Sequence, residues 1–363
     1  MADEFRQSPP PYDPRRNTFR SRSELKDWQA SDFEEVLEPS LPIIDPHHHL
    51  FRRVPNGYLV PDLLADLETG HNIVATVFME GDTGYRRYGP EAFRPIGETE
   101  FVLASIAASE AAQRRNVARG LVGFADLRLG ERVIPVLEGH LAAGQGRMRG
   151  IRQALRWDPF GIGLFGGDDP PHLATDTAFR AGLSCLAPLG LSFDVWIFHH
   201  QLEELVELVA AFPGTAFIVN HIGGPLGAGA YADKKREVLE QWRRGMAKLA
   251  EYPNVSIKLG GCGMLYFGFD FYKRARPPSS DTLARAWRPY FLHCIDLYGV
   301  DRCMFESNFP VDQQTCSYRT LWNAFKIVTR DFSEAEKSAL YCSTASTVYR
   351  LYAANPNSPS DLK

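Results

Sequence analysis

Eight short apolar runs, rich in β-branched and aromatic residues, alternate in this chain with longer stretches whose apolar residues recur at helical spacing. The short runs lie at 41–44, 73–79, 120–125, 150–155, 191–198, 215–219, 255–259 and 302–305. The helical stretches lie at 98–112, 133–143, 178–186, 202–212, 236–249 and 283–297. A helix between two strands carries the chain back to start the next strand in the same direction, so the strands are expected to run parallel. Eight such units in a chain of 363 residues predict an α/β fold, a (β/α)8 TIM barrel. The competing architecture is a doubly wound open sheet. No Gly-x-Gly-x-x-Gly follows the first run to support it, and Gly223-Gly224-Pro225-Leu226-Gly227 lacks the Lys-Ser/Thr ending of a phosphate loop.

The barrel is expected over residues 41–355. Residues 1–40, rich in Pro, Arg, Ser and Glu and without a sustained period, predict an N-terminal extension that acts as an arm, partly ordered against the body. Residues 356–363 read as a C-terminal tail. Apolar residues at 44% and charged residues at 23% suit a soluble globular enzyme. The net charge of −4, with no long basic run, argues against nucleic acid or a membrane surface as partner. No apolar stretch approaches the ~20 residues of a membrane span. The start, Met1-Ala2-Asp3-Glu4-Phe5-Arg6-Gln7, lacks the basic-then-apolar layout of a signal peptide, and the six scattered cysteines suit reduced thiols. A cytoplasmic location follows as the expectation. The expected partner is a small-molecule substrate, and a homodimer stays open.

The first strand runs into Asp45-Pro46-His47-His48-His49. Residues two apart on a strand share a face, so Asp45, His47 and His49 are expected to project together while His48 turns away. Two imidazoles side by side at the mouth of a barrel are half of a metal site. Barrel enzymes work at the C-terminal ends of their strands, and six of the ten histidines fall at such ends: His47, His48, His49, His199, His200 and His221. His48 and His200 read as structural, and His71, His140, His172 and His293 as surface or helix-packing residues. Strand two ends at Glu80, on the face of Thr76 and Phe78. Strand four carries Arg152 and leads to Trp157, and strand eight places Glu306 and Asn308 on one face. The aromatic loop around Tyr266, after strand seven, is placed to cover the mouth. Trp157 and Tyr266 read either as packing or as the apolar wall of a ligand pocket. Cys262 has no sequence neighbour to activate it as a nucleophile.

Five segments together carry a resemblance. They are Asp45-Pro46-His47-His48-His49, Gly150-Ile151-Arg152, Phe198-His199-His200-Gln201-Leu202, Asn220-His221-Ile222-Gly223-Gly224-Pro225 and Met304-Phe305-Glu306-Ser307-Asn308-Phe309-Pro310. From about Pro42 to Tyr352 the chain resembles the amidohydrolase superfamily, in particular the amidohydrolase-2 group of TIM-barrel hydrolases. That group includes sugar-lactone and dicarboxylate-lactone hydrolases and some decarboxylases. The resemblance implies one divalent metal, zinc first, at His47, His49 and His221. It implies His199 as a further ligand or oxyanion donor, and Arg152 as the clamp on an anionic substrate. Catalysis without metal stays open, since some lactonases of the group are held to work that way.

One position departs from the pattern. Where the group carries Asp on strand eight as metal ligand and proton shuttle, this chain has Asn308, whose amide takes no proton at neutral pH. Glu306, roughly 6.6 Å deeper by strand rise, reaches that level only in part. Glu80 is therefore the expected base. Glu306 reads as a substrate contact or as a buried ion pair with a barrel Arg or Lys258. The function implied is hydrolysis of a small, anionic or aromatic lactone or amide. A non-oxidative hydroxyaryl decarboxylase and a catalytically impaired ligand-binding barrel are the rivals.

Overall fold

The computed structural model describes residues 20–31, 33–52, 57–162 and 170–352. Eight strands lie within them: β1 (Pro42–His48), β2 (Asn72–Met79), β3 (Gly120–Gly123), β4 (Met148–Arg152), β5 (Ser192–Val195), β6 (Phe217–Val219), β7 (Val255–Leu259) and β8 (Cys303–Phe305). Each pairs in parallel with the next, in sequence order. The ring closes just beyond β8, where His48 and Phe309 form a parallel bridge. There the Asn308 N–H donates to the His47 carbonyl at 2.9 Å, and the His49 N–H donates to the Phe309 carbonyl at 2.8 Å. The fold is the (β/α)8 barrel read from the sequence, and helices cover its outside.

β1 extends past its apolar run through the histidines, and its register with β2 shifts twice, at Ile43–Ile44 and again within the histidine segment. Between Asp45, opposite Thr76, and His48, opposite Phe78, β1 has one more residue than β2. A bulge of this kind shifts the residues beyond it by one face. Ile44 faces the barrel interior with Ala75, Val77 and Met79, so Asp45 faces outward and bonds Tyr318 Oη at 3.0 Å and the Ser307 N–H at 3.0 Å. Asp45 therefore does not project with His47 and His49, contrary to simple alternation. His48 is buried outside the barrel wall, 2.8 Å from Thr76 Oγ1. The face assigned to Glu80 needs the same correction, since Ala75, Val77 and Met79 point inward rather than Thr76 and Phe78.

The apolar core has two parts. A large layer lies between the sheet and the helices, and a small plug of Ile44, Ala75, Val77, Met79, Val122, Ile218 and Met304 fills the barrel with Tyr349 and Leu351. Above the plug the interior turns polar. Lys258 Nζ lies 2.9 Å from Asp194 Oδ1, which also accepts from Tyr349 Oη at 2.7 Å and Asn220 Nδ2 at 3.0 Å. Charges this deep persist only when paired and hydrogen-bonded.

The helical run at 98–112 is split into Ile96–Ala107 and Glu110–Arg114, because Ser109 caps the second piece on Ala112 N. The extension holds a helix at Arg22–Ala30, where sequence reading finds no period. Ser21 and Glu24 form a capping box, and Leu25 and Trp28, three apart, are the buried positions. Trp28 Nε1 donates to the Arg274 carbonyl at 3.1 Å, and Gln29 Nε2 donates to the Gln313 carbonyl at 2.6 Å. The extension thus ties together the loops that follow β7 and β8. Residues 1–19 of the expected arm and the whole of the expected tail lie outside the described residues.

Candidate active site

The strand ends converge on His47. Its Nε2 lies 3.1 Å from His49 Nε2 and its ring centroid 4.6 Å from that of His221. Its Nδ1 lies 2.7 Å from Glu306 Oε2, and the other oxygen, Oε1, lies 2.7 Å from His221 Nδ1. The metal-ligating atoms of His47, His221 and Glu306 all fall within 4.8 Å of one another. All four side chains are buried. Burial lowers the pKa of His47, His49 and His221 below the ordinary imidazole range, and the nearby Lys258 and Arg152 charges lower that of His47 further. Neutral imidazole is the form that binds a metal.

Backbone geometry places these groups. The chain leaves β6 at His221 and Ile222 with φ of 53° and 51°, a left-handed conformation that is strained for a β-branched residue. This turn swings the His221 ring over the barrel mouth, and the His221 N–H donates to Glu306 Oε1 at 3.0 Å to hold it there. Trp196, at the end of β5, sets its ring against His221 at 4.7 Å. Glu306 sits at the level of the histidines rather than below them, because β8 ends at Phe305. Asn308, at φ 53°, turns its amide to donate to Asp312 Oδ1 at 2.7 Å. The expected shared face of Glu306 and Asn308 is thus lost.

Arg152 and Glu80 form the second group. Arg152 Nε donates to Glu80 Oε1 at 2.8 Å, and NH2 donates to the Glu80 carbonyl at 2.6 Å. NH1 stands 3.3 Å from His47 Nε2. Beyond Met79 the chain leaves strand geometry, which lets Glu80 reach inward despite the corrected alternation. Glu98 shapes that turn by accepting from the Gly81 and Thr83 N–H groups at 2.9 and 2.8 Å. Burial, and then the neighbouring Glu80 charge, raise the Glu98 pKa well above the usual carboxylate value.

Three expected site residues stand apart from the histidine cluster. His199 Nδ1 accepts from Leu226 N at 3.4 Å and its ring packs on Tyr231, while burial lowers its pKa to about 3. Trp157 is engaged through its backbone, its N–H donating to Gln201 Oε1 at 2.8 Å and its carbonyl accepting from His200 Nε2 at 2.9 Å. Tyr266 stands beside Trp196, at 6.4 Å between ring centroids. Sequence reading missed Trp196, Glu98 and Asp312. It named Lys258 only as a partner for Glu306, whereas Lys258 is paired with Asp194 and stands 3.4 Å from His47 Nδ1. One signal for this interior was present: Asp194 and Lys258 each interrupt an apolar strand, and Glu306 directly follows one.

The amidohydrolase family profile matches residues 44–351. A Sinorhizobium fredii protein described only as uncharacterized protein y4mH is 32% identical over 331 residues, which is 85% of this chain and 98% of that protein. An L-fucono-1,5-lactonase of Burkholderia multivorans is 28% identical over 280 residues, 73% of this chain and 87% of the lactonase. Among solved structures, an amidohydrolase from Burkholderia multivorans with bound HEPES superposes with a TM-score of 0.65 at 25% identity, covering 85% of this chain and 99% of its own. A second crystal form, with bound zinc, gives 0.64 at 24% over the same shares. No helix among the described residues is long and apolar enough to cross a membrane. With the profile spanning the whole barrel, this chain belongs to the amidohydrolase family.

Proposed function

We propose that the protein is a hydrolase that opens a small lactone, with one divalent ion, zinc first, held by His47, His49 and His221. The observation that carries this reading is that buried, neutral His49 and His221 both stand against His47 at the open end of the barrel, beside the Glu80–Arg152 pair. The residues fit such an ion. The donors are imidazoles of the kind zinc prefers, and Glu306 Oε2 is buried against His47 without a well-aligned hydrogen bond. An ion bound there would supply polarisation of a carbonyl and a lowered pKa, toward ~7, for a bound water.

The remaining work falls to this chain's own groups. Glu80 accepts from Arg152 Nε through Oε1, which leaves Oε2 as the oxygen to take a proton from the attacking water. The Arg152 guanidinium, fixed by Glu80, presents NH1 to an anionic or hydroxyl-rich substrate. His199 keeps its neutral form, and because Nδ1 accepts from Leu226 N its proton sits on Nε2, which suits an oxyanion donor better than a base. Trp196 and Tyr266 supply an apolar wall. The L-fucono-1,5-lactonase relative supports a cyclic ester of a sugar acid as the substrate class.

The test is a panel of sugar lactones and hydroxyaryl carboxylates, with acid release and CO₂ release followed in parallel. Saturable opening of at least one lactone is the expected result. CO₂ release without lactone opening would replace this reading with a decarboxylase, and tight binding without turnover would leave an impaired barrel.

A further inference from the structure

We infer that Glu306 is a positioning residue that holds His47 and His221 together through their Nδ1–H groups, so that both rings aim Nε2 at one point. It is not itself a ligand, although its oxygens lie within reach of the same ion. The inference rests on the reading that His47, His49 and His221 hold a metal.

The tautomers follow from the partners. A carboxylate and a carbonyl oxygen only accept, so a neutral imidazole facing one through Nδ1 carries its proton there and its lone pair on Nε2. His221 Nδ1 faces Glu306 Oε1 at 2.7 Å, His47 Nδ1 faces Glu306 Oε2 at 2.7 Å, and His49 Nδ1 donates to the Met79 carbonyl at 2.9 Å. Arg152 NH1, a donor only, stands 3.3 Å from His47 Nε2 and agrees with a lone pair there. Lys258 Nζ, 3.4 Å from His47 Nδ1, points to the opposite tautomer. The Glu306 oxygen is the nearer, at 2.7 Å, though it lies off the line of an Nδ1–H and comes into line only on a rotation of the ring, while Lys258 has Asp194 at 2.9 Å as its own partner. With both Nδ1 atoms protonated, the Nε2 atoms of His47 and His49 face each other through lone pairs at 3.1 Å, a contact that a cation held between them would relieve.

The neighbouring strand leaves room for this device. A side chain at Gly260 would collide with Glu306, and one at Gly261 with the His221 ring. A carboxylate behind metal-bound imidazoles fixes ring orientation and raises their basicity. Here one carboxylate serves two rings, two residues before the position where the family pattern has a carboxylate and this chain has Asn308.

Ring-¹⁵N spectra of the zinc-loaded wild-type protein read the tautomers directly, and zinc competition against a chelating dye reads affinity. We expect His47, His49 and His221 to be protonated at Nδ1 and metal-bound at Nε2. We also expect Glu306→Gln, which turns an NH₂ toward one of its two rings, to weaken zinc binding about 10–100-fold with the three nitrogen ligands retained. Protonation of His47 or His221 at Nε2, unchanged affinity in Glu306→Gln, or a wild type that binds no zinc would each overturn the inference. The ¹⁵N spectra need no variant, so they decide the matter even where Glu306→Gln fails to fold. A wild type without zinc would remove the ion from the proposed mechanism as well, whereas the other outcomes leave it standing, and the substrate panel decides lactone hydrolysis separately.

Discussion

Arg152 donates to Glu80 Oε1 at 2.8 Å and thereby fixes the end of β4 against the end of β2, beside the histidines. The pair is mostly shielded from solvent, with side-chain exposures of 10% and 15%, so screening weakens it little. Its fork geometry is specific to arginine.

Arg152→Lys keeps the charge but loses the fork that grips Glu80 through two nitrogens. A charged hydrogen bond is worth about 1.5–3 kcal/mol, so KM for an anionic lactone is expected to rise about 10–100-fold, with kcat changing less. Steady-state kinetics over a range of lactone concentrations checks this. An unchanged KM would remove Arg152 from substrate binding.

The Asp312 carboxyl is buried, and desolvation pushes its pKa up to about 8 even though it accepts from Gly263 N at 2.8 Å and from Asn308. A carboxyl whose folded pKa exceeds its unfolded value binds its proton more tightly in the native state. Its contribution to stability is therefore complete below about pH 4 and lost as pH rises through about 8. Asp312→Asn has no proton to lose, so its melting temperature relative to wild type should climb between pH 4 and pH 8. A difference that stays flat across that window would show Asp312 ionised throughout.

Asn308→Asp would restore the family's residue beside Asp312, whose oxygen now accepts from the Asn308 amide at 2.7 Å. Two carboxylates at that distance cannot both ionise cheaply. The expected outcome is a fall in both thermal stability and turnover, with about 1–3 kcal/mol of stability lost. Scanning calorimetry and initial rates give the answer. Activity found only in the variant would mean that the natural site is impaired.

The fold was legible because each strand run and each helical stretch carries its own period, and a parallel alternation of eight admits few closures. The nearness of His49 and His221 to His47 was legible from their places at strand ends, whereas the same reasoning brought in His199, which packs on Tyr231 instead. What escaped were side-chain directions that depend on local breaks in regularity. The extra residue between Asp45 and His48 reverses the parity of β1, and positive φ at His221 and Asn308 turns the chain out of strand geometry at both places. None of the three carries a glycine to announce it. Glu306 was set too deep because strand rise was counted through a segment that is no longer strand. The arm helix escaped because two buried positions, Leu25 and Trp28, are too few to show a period.

The most direct test of the account compares lactone opening by the wild type and by His221→Ala, at matched folded concentration confirmed by circular dichroism. The wild type should open at least one sugar lactone with saturable kinetics, and the variant should lose at least about a hundredfold in kcat/KM. Equal rates in the two proteins would contradict it.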